Sequence, residues 1–340
     1  MLHSVRDAYD EVDLRIIHAL QIAPRAAWRQ LAGPLGLSAA TLARRWQHIV
    51  GNGDAWVSAY PSPRRVGGAA FVEITCEAGA VDDVAASISR LPLFPAAWEM
   101  SGGRDILATA RATSVLELHA CVRGLRATPG VRGVQSHVAT RTFASAQRWR
   151  LDALDARQSR AVRALAPSPS LQPAGELDRL DQRLMVALSL DGRAPAADLA
   201  RDLGVSINTV RRRMHRLIDS GELEVRCDVS RVIAGREVLA MFWLRVPPDA
   251  LVETARALAG APSIRRLSSV TGTHNLMLMA WLRHTADLPD YEALLTRMAP
   301  HTSVGERAIS IRTIKHAGRV LDDDGRVREI VPLDFWQSAP

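Results

Sequence analysis

The chain has 340 residues, room for two to four domains, and its 47% hydrophobic and 23% charged residues are the balance of a protein that buries a large core. No apolar run reaches the roughly 18 residues of a membrane span, residues 1–7 lack a secretory-type apolar segment, and the scattered Cys76, Cys121 and Cys227 argue against a disulfide scaffold or a zinc ribbon. The formal charge is +7 with Lys315 as the only lysine; arginine suits phosphate and base edges, but GC-rich codon use also supplies it, so its placement must decide.

A shift of 168 residues aligns residues 10–53 with 178–221 without a gap, and 16 of the 44 positions are identical. The period is far too long for a solenoid, so the chain is a duplication of a two-part unit. In the first copy, Val12, Ile16, Ile17 and Leu20 predict a helix. A short second helix holds Pro34 in its last turn, and a third runs from Ser38. The third helix has an apolar stripe of Ala39, Leu42, Trp46, Ile49 and Val50. Its outer stripe is Ala40, Ala43, Arg44, Gln47 and His48. From residue 55 onward, β-like runs at 55–58, 70–75, 97–100, 105–110 and 134–142 alternate with helical patterns near 81–91 and 115–125. This order is the ferredoxin-like β-α-β-β-α-β arrangement. Residues 146–166 read as a helix, and Pro167, Pro169 and Pro173 mark a linker.

The second copy repeats the order. Leu180, Leu184, Met185 and Leu188 predict the first helix, and Leu199, Ala200 and Leu203 a short one that stops at Gly204. Ser206 stands at the N-cap of a third helix, completing a helix-turn-helix. Ile207, Val210, Met214, Leu217 and Ile218 form its apolar stripe, while Asn208, Arg211, Arg212, His215 and Arg216 form the opposite one. Asparagine and arginine each bond two atoms of adenine and guanine in the major groove, so this face predicts DNA contact. The first copy's face holds one arginine where the second holds three, which predicts that the second module supplies most of the affinity. Strand-like runs at 223–229, 239–246, 266–270, 275–282 and 308–314 and helical patterns near 252–258 and 291–298 follow. Residues after His316, with Asp322-Asp323-Asp324-Gly325, read as a loosely held tail.

Two glycine-bearing loops match each other, Ser101-Gly102-Gly103-Arg104-Asp105 and Thr271-Gly272-Thr273-His274-Asn275. Glycine permits a tight reversal that Asp105 would cap. The alternative is a ligand site in which Arg104 meets a carboxylate and Asp105 an ammonium group.

These motifs together, Leu180-Asp181 through Leu203-Gly204-Val205-Ser206, Arg213 and Gly221 with the Gly102–Asp105 loop, resemble the Lrp/AsnC (feast/famine) family of bacterial transcription regulators. The resemblance implies a helix-turn-helix followed by a ferredoxin-like RAM domain, RAM sheets pairing into dimers, and effectors, commonly amino acids, near the Gly-x-x-Asp loop. A tandem chain is similar to a covalent family dimer. The fold class expected is α+β, with two winged-type helix-turn-helix and two RAM domains in tandem. The expected boundaries are a helix-turn-helix at 1–60, RAM at 66–145, helix and linker at 146–176, a helix-turn-helix at 177–232, RAM at 236–316 and a tail at 317–340.

The DNA-binding set is Ser206, Asn208, Thr209, Arg211, Arg212, Arg213, His215 and Arg216, with Ser38, Thr41, Arg44, Arg45, Gln47 and His48. The effector set is Gly102, Gly103, Arg104, Asp105, Gly272, His274 and Asn275, with Asn275 standing where the family pattern favours Asp. Partners expected are double-stranded DNA bearing an imperfect palindrome, a small effector and further copies of the chain. No cofactor, metal or membrane is expected, and the location expected is cytoplasmic. The competing reading is an enzyme similar to sirohaem decarboxylases, which share this architecture, with His137, Arg141 and His274 as candidates. The arginine stripe has no use in such an enzyme, and no coherent nucleophile, base or metal set accompanies those residues.

Overall fold

The computed structural model describes residues 9–62, 67–145, 149–167, 175–236 and 238–336. The first copy comprises α1 (Glu11–Ile22), α2 (Trp28–Leu35), α3 (Ala39–Gly51) and β1 (Ala55–Pro61), then β2 (Gly68–Cys76), α4 (Val81–Ser89), β3 (Ala96–Met100), β4 (Ile106–Ala112), α5 (Val115–Arg126) and β5 (Val131–Ala144). A single helix, α6 (Ala156–Arg163), follows. The second copy comprises α7 (Arg179–Leu190), α8 (Ala196–Leu203), α9 (Ile207–Asp219) and β6 (Leu223–Val229). It continues with α10 (Arg231–Ala234), β7 (Val238–Arg245), α11 (Leu251–Leu258), β8 (Ile264–Val270), β9 (Leu276–Leu282), α12 (Leu288–Met298) and β10 (Ser303–His316). Two short strands, β11 (Arg319–Leu321) and β12 (Val327–Ile330), close the chain.

The elements gather into two compact units, each drawing on both copies. Unit 1 takes residues 1–67, 150–233 and 317–337; unit 2 takes 68–149 and 234–316.

In unit 1 the strands read as wings pair with each other: β1 and β6 run antiparallel from Ala55 opposite Val229 to Pro61 opposite Leu223. Ala59 of β1 is therefore buried in the core of the second helix-turn-helix beside Leu184, Leu188 and Leu217. Two arginines at equivalent positions cross between the modules. Arg193 donates to the carbonyls of Pro24 and Ala26 at 2.5 and 3.0 Å, and Arg25 donates to those of Gly192 and Ala194. Burial lowers the Arg193 pKa to about 10, with Arg25 nearby adding to the effect. Gly192 is required here, since a Cβ would lie 2.7 Å from the Val57 side chain and 3.0 Å from backbone atoms.

Two expectations are corrected in this unit. Among the described residues of the helix expected over 146–166, α6 is the helical part; residues 149–155 are not helical, because the Asp155 side chain accepts from the Gln158 amide and caps the helix there. The prolines 169 and 173 lie outside the described residues. Over its described residues, 317–336, the tail is not loosely held. Arg319 is 1% exposed and donates to the carbonyls of Ser189, Ala317 and Leu190, and Leu333 and Phe335 are buried.

In unit 2 the first copy contributes the sheet β3-β4-β2-β5 and the second β8-β9-β7-β10. β5 pairs with β8, and β10 pairs with both β3 and β7, so eight strands close into a barrel. Closure removes the free edges that either sheet would expose alone. Along β7, Ala240, Phe242 and Leu244 join the core under α11 and α12. Alternation then turns Met241 and Trp243 to the barrel side.

Candidate nucleic-acid interface

Each recognition helix is held by a pair of carboxylates on the first helix of its own module. Asp178 caps α7 and Asp181 occupies its third position, each accepting the other's backbone amide. Arg213 of α9 reaches both, with Nη1 2.7 Å from Asp178 and 2.9 Å from Asp181. Arg216 donates to the second Asp181 oxygen at 2.5 Å. The Asp181 amide and the Arg213 guanidinium hold the Asp178 carboxyl below its usual pKa. The first copy repeats the arrangement, with Arg45 Nη1 2.9 Å from Asp10 and from Asp13.

Within the expected DNA set, Arg45, Arg213 and Arg216 also pair with carboxylates of α1 and α7, so they help to orient the helices. Ile207, expected on the apolar underside, is 41% exposed because it precedes the first buried turn at Val210. Ser38 and Ser206 both accept the amide three residues on at 3.1 Å and share a 2.9 Å hydroxyl contact with Thr41 and Thr209. Pro34 leaves the stop of α2 unchanged: Gly36 and Gly204 are both left-handed, with φ of 69° and 71°.

What remains outward on α9 is Asn208, Arg211, Arg212 and His215, all exposed. The equivalent residues on α3 are Ala40, Ala43, Arg44 and Gln47, of which Ala43 is half-buried. His48 is exposed too, at the position of Arg216. The helix N-terminus carries a partial positive charge, so the α9 face presents cationic forks beside a dipole end suited to phosphate.

The glycine loops lie in unit 2, and each clasps the long strand of the other copy. The Ser101 amide donates to Ile309 and its hydroxyl accepts from the Ile309 amide; Thr271 does the same with Val138. Gly102, Gly103, Gly272 and Thr273 are exposed at the loop tips. The other expected effector residues point elsewhere. Asp105 accepts from the Cys76 amide at 2.7 Å, and Asn275 bonds both the amide and the carbonyl of Val246 at 3.0 and 2.7 Å, so both close turns. The Arg104 guanidinium is buried, 3.1 Å from Glu73, 2.6 Å from Glu306 and 3.8 Å over the Trp243 ring. Asp105 and Arg104 thus each have a partner within the chain.

His137, considered for an enzyme, has one ring nitrogen 3.3 Å from Glu73 and the other 3.1 Å from the Thr271 carbonyl. The Glu73 hydrogen bond raises its pKa against the opposing effect of burial. Burial alone would raise the Glu73 pKa, but His137 and Arg104 hold it below its usual value. Arg141 is exposed with its guanidinium 4.9 Å from the Phe143 ring, and the His274 ring packs against Gly305. Among the described residues no group of three or more His, Cys, Asp or Glu is placed to hold a metal, and no helix is long and apolar enough to cross a membrane.

Paired helix-turn-helix modules and a barrel closed from two ferredoxin-like halves define a protein that carries two copies of one two-part unit in a single chain. The AsnC-type helix-turn-helix domain matches residues 10–48 and 177–218, and the Lrp/AsnC ligand binding domain matches 69–149. The Bkd operon transcriptional regulator of Pseudomonas aeruginosa is 30% identical over 125 residues, which are 36% of this chain and 80% of that protein. An HTH-type transcriptional regulator of Pyrococcus furiosus is 28% identical over 138 residues, 40% of this chain and 92% of its own. The chain belongs to the Lrp/AsnC family. The solved siroheme decarboxylase NirDL is similar in fold, with a TM-score of 0.59 over 90% of this chain and 93% of that one, at 17% identity.

Sequence reasoning missed the crossed arginines and the strap-like tail. A signal for the first was present: Arg25 and Arg193 are identical at the repeat spacing although neither lies on a recognition helix.

Proposed function

We propose that this chain is a sequence-specific DNA-binding transcriptional regulator in which the α9 face supplies most of the affinity and α3 the remainder. The reading rests on one observation: the clamp of Arg213 on Asp178 and Asp181 leaves Asn208, Arg211 and Arg212 outward on α9. Binding is expected to fall at least about 10-fold as salt rises from ~50 to ~200 mM, since each neutralised phosphate releases counterions. Alanine at Arg211 and Arg212 is expected to weaken binding more than alanine at Arg44. Affinity that ignores salt, or the reverse ranking, would sink the assignment.

The ligand-binding half takes a small metabolite, an amino acid in the family's manner, at the exposed glycine tips Gly102, Gly103 and Gly272. Saturation with that metabolite is expected to shift operator affinity by about 1–3 kcal/mol. A thermal-shift screen of amino acids that stabilised nothing would remove this part. The chain acts in the cytoplasm, as an assembly of two or more copies, and it is not an enzyme. Both ring nitrogens of His137 have partners inside the protein, which argues against its use in tetrapyrrole chemistry. Adding an iron tetrapyrrole and recording the visible spectrum tests this: a tight, shifted complex would favour the decarboxylase reading.

A further inference from the structure

The two recognition helices have one scaffold and unlike faces. Caps, left-handed stops and carboxylate clamps coincide position for position, so residues 168 apart occupy equivalent places. Among the outward positions only Arg44 and Arg212 are identical. Elsewhere Asn208 faces Ala40's place, Arg211 faces Ala43's and His215 faces Gln47's.

Side-chain chemistry then separates what each helix can read. Arginine bonds the O6 and N7 of guanine together, and asparagine or glutamine bonds the N6 and N7 of adenine. An alanine methyl offers no hydrogen bond and suits the thymine methyl. The α9 face therefore carries a guanine reader, Arg211, that α3 lacks. The α3 face carries two methyls and one adenine-type amide, Gln47.

We propose that the two heads of one chain read different half-sites: α9 one that contains guanine at the position met by Arg211, and α3 one that is A·T at the equivalent position. Arg44 and Arg212 contact the feature common to both halves. The operator then has a direction, and a chain bound to it has a fixed orientation. This inference rests on the DNA-binding reading above and goes beyond it by assigning chemistry to each half.

The test is selection of duplexes from a random pool by the full chain, followed by sequencing. A composite site is expected, one half with G·C at the discriminating position and the other A·T. The triple variant Ala40→Asn, Ala43→Arg, Gln47→His copies the α9 face onto α3 at outward positions. It is expected to convert the A·T half into a repeat of the G-bearing half, giving a true palindrome. Arg211→Ala is expected to weaken binding to the composite site about 5- to 150-fold while relaxing preference only in the G-bearing half. A palindrome selected by the unmodified chain, or a triple variant that selects the same composite site, overturns the proposal. Failure to enrich any duplex overturns the DNA-binding reading itself, and this inference with it. Circular dichroism of each variant confirms that the helices persist.

Discussion

The two helix-turn-helix copies agree where the chain folds and differ where it faces outward. Asp10, Asp13 and Arg45 recur as Asp178, Asp181 and Arg213, and both triads make the same ion pairs. The outward residues of α3 and α9 share a single arginine. A clamp between helices tolerates little change, because a buried carboxylate left without its partner is costly. An exposed face is free to diverge. The lesson is that internal identity in this chain marks scaffold, whereas internal difference marks what the two heads are for.

The comparison is sharpest at the clamp. Asp181 is 1% exposed and pairs with two guanidiniums, Arg213 and Arg216, while among the described residues Asp13 pairs with one, Arg45. Asp181→Ala is expected to cost about 3 kcal/mol by leaving two guanidiniums against an empty site. Asp13→Ala is expected to cost roughly half of that, about 1.5 kcal/mol, because Asp10 still holds Arg45. Thermal melts of both variants check this ranking. Equal losses would mean that the Arg216 bond contributes nothing.

The same contrast explains how much was legible in the sequence. The helix-turn-helix could be read because periodicity, the Gly204 stop and the Ser206 cap are local signals. The α9 face was half legible. Asn208, Arg211, Arg212 and His215 stand outward, but Arg213 and Arg216 look no different in sequence from their neighbours, and only the fold puts Asp178 and Asp181 within reach. The glycine loops were recognisable as turns, and Asn275 indeed serves as one. Burial of Arg104 over Trp243 depends on the barrel closing between copies, a pairing that no local pattern encodes. The tail misled because Asp322-Asp323-Asp324-Gly325 reads as solvated loop. In the fold it forms a turn, with the Asp322 amide bonded to the Arg326 carbonyl, and the flanking β11 and β12 pair.

That tail invites a second test between the copies. Leu333 donates its amide to Ser189 at 3.0 Å, and Leu151 donates its amide to Gln21 at 2.8 Å. Ser189 and Gln21 are equivalent in the repeat, so a strap docks at the same place on α7 and on α1. The α7 strap also inserts Arg319, whose loss would leave the carbonyls of Ser189 and Leu190 without their donor. Arg319→Ala is expected to cost about 2 kcal/mol and Gln21→Ala about 1 kcal/mol. Hydrogen exchange at the Leu333 and Leu151 amides reads each strap separately. A larger loss from Gln21→Ala would show that the guanidinium adds nothing to docking.

Two buried histidines extend the comparison to pH, with opposite signs. His18 accepts the amides of Ala153 and Leu154 through Nδ1, both at 3.1 Å, so its neutral form holds the α1 strap. Burial pushes its pKa down to about 4, Arg150 and Arg163 push the same way, and Asp152 opposes them. The unfolded chain binds the proton near pH 6.5, so the stabilisation is complete above that value and is lost as pH falls toward 4. A drop from pH 7 to 5.5 is expected to cost about 1 kcal/mol and to speed exchange at Ala153 and Leu154. His137 behaves inversely: its pKa lies above the usual value because Glu73 accepts from it. Its contribution to the barrel is present below pH 6.5 and is lost as pH rises through the raised value. Acid should thus loosen the strap on α1 while leaving the His137 contact with Glu73 intact. If both regions lost protection together on acidification, the neutral His18 acceptor would not be what holds that strap.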